Sequence, residues 1–252
     1  GDTFEEYFIN HTLINRNLIP IERNTYILFT KMKQLFIGLK EMYNNKLIHL
    51  DIKMNNIVLD GEYFKFIDFG LSGELHYIDH FERRSLSEFN TKRIYIWYPL
   101  EYLYAFIDKS EKLAELFKFN TSRDYRKHYQ HGIDIYNVFN LNINNHIKEL
   151  LNKDNKYTTE NFEDLVSMID TYSLGIIIPF FFVEYGLIKY INKSKFLTDL
   201  FKLLKLMCNI DHKKRMKPDE CVKEYNKLIK KYSYLNKDKK GKKEKKTKRK
   251  LK

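Results

Sequence analysis

The chain has 252 residues, a formal net charge of +12, 43% hydrophobic residues and 15% aromatic residues. That length can bury a sizeable core, and the aromatic content excludes a wholly disordered chain. Nine Gly and four Pro exclude collagen-like or low-complexity sequence, and two cysteines, Cys208 and Cys221, exclude a disulfide framework or a four-cysteine zinc site. A reducing, intracellular setting, cytoplasmic or nuclear, is expected.

The chain opens Gly1-Asp2-Thr3-Phe4 with neither an initiator Met nor a secretory signal, and reads as a fragment or a processed piece. Leu28, Met32, Leu35, Leu39 and Met42 recur at spacings of four and three, which predicts one helix from about Tyr26 to Tyr43, stopped by Asn44-Asn45. Two short apolar runs follow, Ile57-Val58-Leu59 and Tyr63 to Ile67. Asp60-Gly61 between them signals a tight β-hairpin. Residues 105–165 are polar, Asn-rich and irregular, with helical pieces near Glu111–Phe119 and His146–Asn152.

Asp170 to Tyr185 is apolar almost all round, the pattern of a buried helix, with Pro179 expected to kink it. The run Leu174 to Ile188 is broken by Pro179, Glu184 and Gly186 and is shorter than the roughly 20 residues of a membrane span, so no membrane partner is expected. Residues 194–208 and 218–232 read as amphipathic helices. From 237 to 252 ten Lys and one Arg face only Asp238 and Glu244, a net of +9 out of the +12. The basicity therefore belongs to a tail, expected disordered from 233 to 252. It is either a solvated segment or an electrostatic contact for nucleic acid or another acidic partner. His76 with His80, and His128 with His131, have helical metal-ligand spacing but no third ligand, and read as surface histidines. The expected class is mainly α (α+β), one domain over 1–232.

The chemistry concentrates in His49-Leu50-Asp51-Ile52-Lys53-Met54-Asn55-Asn56, just before the hairpin, and in Asp68-Phe69-Gly70, just after it. A hairpin returns to its own open end, so Asn56 and Asp68 are expected there together. An amide oxygen and a carboxylate suit a hard cation such as Mg²⁺, which takes one or two protein oxygens plus phosphate and water. Asp51 can accept a hydroxyl proton, and Lys53 can steady a transferring phosphoryl group.

These segments resemble the eukaryotic-type protein kinase family, whose catalytic loop reads His-Arg-Asp-x-Lys-x-x-Asn and whose metal motif reads Asp-Phe-Gly. Tyr98-Pro99-Leu100-Glu101 resembles the Ala-Pro-Glu motif. Asp170-Thr171-Tyr172-Ser173-Leu174-Gly175 is similar to the Asp-x-Trp-Ser-x-Gly start of the central helix, and Asp211 to Arg215 resembles the late Asp-x-x-x-Arg motif. The resemblance implies a kinase-like large lobe with a short hairpin carrying the catalytic and metal-binding loops. It implies an ATP- and Mg²⁺-dependent kinase acting on Ser/Thr of a protein substrate, since Lys53 departs from the tyrosine-kinase pattern. Asp51 would be the base and Lys53 the γ-phosphate contact. Asn56 and Asp68 would hold Mg²⁺, Val58 would lie under adenine, and Asp2 would reach the ribose. Glu101 with Arg215, and Asp170 with the catalytic-loop backbone, would be supports.

Several features depart from the family. Leu50 replaces the arginine that in many relatives receives an activation-segment phosphate, which argues against switching through Ser85, Ser87 or Thr91. Ile94 stands where Ser/Thr kinases carry Thr. Residues 105–165 look like an insertion, which with the Tyr-Pro-Leu-Glu form and the Lys/Asn/Ile-rich composition loosely resembles kinases of large DNA viruses, and so a host-cell location. The sequence holds no glycine-rich loop and no Val-Ala-x-Lys strand, so the chain by itself is expected to show little or no kinase activity. Alternatives are a non-catalytic kinase-like scaffold and a small-molecule phosphotransferase. Lys53, Asp68-Phe69-Gly70 and the Glu101/Arg215 pair point away from the latter.

Overall fold

Thr3 starts the first helix through a reciprocal cap. Its hydroxyl accepts the Glu6 N–H at 3.2 Å, and Glu6 Oε2 accepts the Thr3 N–H at 2.8 Å. This helix, α1 (Phe4–Tyr7), runs on into a π-turn, Phe8–Thr12, and lays Phe4 and Phe8 on Phe181. The computed structural model describes residues 1–90, 96–103, 105, 133–139, 141, 146 and 159–236. The expected helical piece Glu111–Phe119, most of His146–Asn152, His128, His131, Ile94, Thr91 and the tail 237–252 lie outside the described residues.

The helix expected from Tyr26 to Tyr43 is in fact two, α2 (Leu18–Lys31) and α3 (Lys33–Asn44). At Met32 the backbone N–H bonds to Phe29 O, three residues back, and ψ is 2°, so one tightened turn separates them. The stripe Leu28, Met32, Leu35, Leu39, Met42 survives the break and is buried throughout. α2 also starts earlier than expected. Asn17 is extended, and Pro20 sits in the first turn, where its missing N–H costs nothing. α3 stops as expected. Asn45 Nδ2 donates to Glu41 O at 2.8 Å, and Lys46 turns into the left-handed region with φ 54°.

β1 (Leu47–Ile48) pairs antiparallel with β4 (Gly73–Glu74), and β2 (Ile57–Asp60) with β3 (Tyr63–Phe66). Asp60 faces Tyr63, leaving Gly61-Glu62 as a two-residue turn, and Gly61 supplies its φ of 62°. α4 (Ile78–Asn90) and α5 (Leu100–Leu103) follow, then a helical stretch at 133–138. α6 (Thr159–Val166), α7 (Ile169–Glu184), α8 (Lys195–Met207) and α9 (Pro218–Lys231) complete the order.

α7 is the central beam, buried on nearly every side. A Cβ on Gly175 would lie 2.8 Å from Met207 Cβ and 2.9 Å from Cys208 Sγ, so glycine is what lets α7 and α8 touch. By length and composition residues 161–184 could cross a bilayer, but 89% of the stretch's apolar 18-residue window is buried inside the fold. Ser233–Asn236 forms a 3-10 turn, and Leu235 packs on the core. The described chain reaches Asn236, with Tyr232 and Leu235 packed on the core.

The buried side chains form two clusters. The larger gathers α1, α2, α3, α7, α8 and α9, with Ile52 and Ile57. The smaller gathers Ile48, Leu50, Phe81, Tyr98, Tyr102, Phe162 and Ile169.

α8 and α9 are tied at Asp199, whose carboxylate accepts Lys231 Nζ at 2.6 Å and Tyr232 OH at 2.7 Å. These donors lower the Asp199 carboxyl from 3.8 to about 2. A depressed carboxyl contributes stability above its ordinary value and loses it as pH falls toward the folded value. Melting temperature should therefore drop more steeply between pH 4 and pH 2 in the parent than in Asp199→Asn. Parallel curves would remove Asp199 from the acid response.

Candidate active site

The loop from His49 to Asn56 is held from three directions. From α7, the Asp170 carboxylate accepts the His49 N–H at 2.6 Å and the Leu50 N–H at 3.0 Å. Burial pushes this carboxyl above its ordinary value despite the two donors. From the hairpin's far strand, Ile67 O meets His49 Nε2 at 3.1 Å, and the Asp51 N–H donates to His49 Nδ1 at 3.3 Å. The Nε2–H tautomer satisfies both contacts. From beyond the hairpin, Ser72 Oγ donates to His49 O at 3.3 Å. Leu50 sits at φ 61° and Asp68 at φ 60°. A left-handed non-glycine residue costs about 1–2 kcal/mol, so these bonds hold backbone that would otherwise relax.

On this loop three expected site residues come together. Asp51 Oδ2 accepts Lys53 Nζ at 2.8 Å and Asn56 Nδ2 at 2.7 Å. Asn56 Nδ2 also donates to Asp51 O at 2.9 Å. Asp51 and Asn56 are buried and Lys53 is partly exposed, so the carboxylate is screened from bulk water on its lysine and amide sides.

Asp68 joins them through the backbone. The Ile67 N–H donates to Asn56 O at 3.0 Å, which sets the two loops side by side as the hairpin argument expects. The Asp68 carboxylate itself is exposed and accepts the Gly70 N–H at 3.3 Å. The next ring, Phe69, lies 4.5 Å from the His49 ring. Val58 lies on the face of β2 opposite buried Ile57, across from Lys65, and is half-buried. Asp2 reaches the same strand by main chain, accepting the Leu59 N–H at 2.8 Å, and Thr3 bridges to Val58.

The donor set fits a hard cation. Asn56 spends its amide nitrogen on Asp51, leaving its oxygen as the donor, and Asp68 adds an exposed carboxylate. Among the described residues no cluster of three His, Cys, Asp or Glu could hold a metal by itself, so such a cation would need phosphate or water oxygens as well. His80 instead spends Nε2 on Leu71 O at 2.9 Å, and His76 lies beside Glu74.

Residues 8–96, which include this loop and hairpin, match the protein kinase domain family. The matched segment, about a third of the chain, is similar to eukaryotic-type protein kinases. A stretch of 46 residues is 48% identical to serine/threonine-protein kinase prpf4B of Dictyostelium discoideum, covering 18% of this chain and 6% of that protein's length. No solved structure matches the chain.

The supports expected of a kinase-like large lobe are in place. Glu101 and Arg215 form a buried ion pair. Burial alone would raise the Glu101 carboxyl, but the Arg215 guanidinium and then His146 outweigh it and hold it below its ordinary value. Sequence reasoning missed His146, whose Nε2 lies 3.7 Å from Glu101 Oε2. It also missed Tyr98 and Arg84 as partners of the loop. The Tyr98 hydroxyl donates to Leu50 O at 2.5 Å and accepts Arg84 Nε at 3.3 Å. Leu50 itself is fully buried in the smaller cluster. Ser85 is also fully buried and donates to Tyr102 O at 2.6 Å, so its hydroxyl is closed to a modifying enzyme.

Proposed function

We propose that this large lobe serves an ATP- and Mg²⁺-dependent protein kinase that transfers the γ-phosphoryl group to a Ser/Thr hydroxyl. The observation that carries the reading is the Asp51–Lys53–Asn56 cluster on a loop pinned by Asp170. Asp51 orients the acceptor hydroxyl and takes its proton as the new O–P bond forms on the γ-phosphorus and the bond from that phosphorus to the bridging oxygen breaks, releasing ADP. Lys53 releases Asp51 Oδ2 for the γ-phosphate and neutralises its charge. Asn56 and Asp68 would hold Mg²⁺, which would supply positive charge to the phosphate oxygens. Val58 forms the apolar floor for adenine, and Asp2 lies beside it for the ribose. Catalysis of this type is positioning plus charge stabilisation.

Nucleotide titration with and without Mg²⁺ tests the metal assignment. Asp68→Ala should weaken Mg·ATP binding about tenfold or more and metal-free ATP binding little, with Asn56→Ala showing the same pattern more weakly. Equal losses in both titrations would place the metal elsewhere.

A further inference from the structure

We propose that Tyr98 is a positioning residue for Asp51, doing for the catalytic loop what the arginine absent at position 50 does in relatives. The inference rests on the function proposed above.

The Leu50 peptide precedes Asp51 and holds a left-handed φ of 61°. Its N–H is fixed by Asp170, and its buried carbonyl needs a donor of its own. The Tyr98 hydroxyl supplies one at 2.5 Å, and both residues are almost wholly buried. The peptide is thus gripped at both ends, from α7 and from the residue before Pro99. That grip fixes the direction in which the chain enters Asp51.

The same hydroxyl continues toward the activation segment, the stretch between Gly70 and Tyr98. It accepts Arg84 Nε at 3.3 Å, and Arg84 Nη2 pairs with Glu88 Oε1 at 2.6 Å within α4. Desolvation pushes the Tyr98 phenol far above its ordinary value, so it stays a donor across the working pH range. The contact between catalytic loop and activation segment therefore runs through a neutral phenol and a guanidinium already seated in α4. An incoming phosphate is not needed to complete it, and Ser85 is not accessible to receive one.

Tyr98→Phe removes one oxygen and keeps the ring. In the 252-residue chain, amide hydrogen exchange over residues 49–53 should quicken about tenfold, with α8 and α9 exchange unchanged. Arg84→Met should give a smaller change in the same direction. In a protein carrying this lobe with a small lobe ahead of it, Tyr98→Phe should lower kcat about tenfold and leave KM for ATP and peptide within about twofold. Unchanged exchange at 49–53 overturns the proposal. So does acceleration spread over α8 and α9, which would make Tyr98 a general packing residue. A kcat loss matched by a KM rise would also overturn it. Asp51→Asn in the same assay separates the two readings. If Asp51→Asn is as active as the parent, the kinase reading of the site fails while the exchange result still judges the Tyr98 contact.

Discussion

Asp51→Asn should lower phosphoryl transfer about 10²–10⁴-fold, the usual scale for a lost general base, while the fold and nucleotide binding persist. The substitution is nearly isosteric. An Asn oxygen at the Oδ2 position can still accept Asn56 Nδ2, now met at 2.7 Å, and the backbone bonds to Asp170 involve His49 and Leu50, not residue 51. What disappears is the negative charge that pairs with Lys53 Nζ at 2.8 Å and, on the proposed function, the lone pair for the hydroxyl proton. Single-turnover transfer, read beside a thermal melt and an ATP titration on a protein carrying a small lobe, separates the two effects. Near-parental turnover would remove Asp51 from proton transfer.

Glu101→Ala and Arg215→Ala should each cost about 3–5 kcal/mol of unfolding free energy, and the double substitution much less than their sum. The Arg215 side chain is wholly buried. It donates Nε and Nη2 to Asn209 O, Nη1 to Met168 O, and Nη2 to Glu101. Removing Arg215 strands a buried carboxylate beside His146, 3.7 Å away. Removing Glu101 strands a guanidinium under the Tyr172 ring, 5.3 Å away. Because Glu101 titrates below its ordinary value of 4.5, its contribution is whole above that pH and fades as pH falls through the lowered value. Denaturant melts in a double-mutant cycle at neutral pH measure the coupling, and strict additivity would mean that the pair does not act as one.

Much of this was legible because local rules and long-range packing agree. Asp60-Gly61 fixed the hairpin, and the hairpin carried Asn56 and Asp68 to one end. The break at Met32 was invisible, since a stripe spaced four and three passes through one tightened turn unchanged. α4 went unseen because its buried face, Ile78, Phe81, Ser85, Glu88, is half polar and shows no apolar period. β1 and β4 are two residues each, too short to alternate. The contacts of Tyr98 and His146 were beyond reach for another reason. Nothing local to position 98 says that its hydroxyl ends on the Leu50 carbonyl, and nothing local to position 146 says that it ends beside Glu101. Leu50 alone argues against a switch at Ser85, and the burial of that hydroxyl, which sequence does not record, closes it a second time.

The two buried clusters meet along the loop from His49 to Asn56. Ile48 and Leu50 turn into the smaller one, and Ile52 and Ile57 into the larger. Asp51 thus rides on a seam, with its neighbours clamped into different bodies. A cavity opened in either body is therefore expected to shift the Asp51 carboxylate. Phe81→Leu on one side and Leu39→Ala on the other should both read out as losses of turnover larger than their shared effect on melting would suggest.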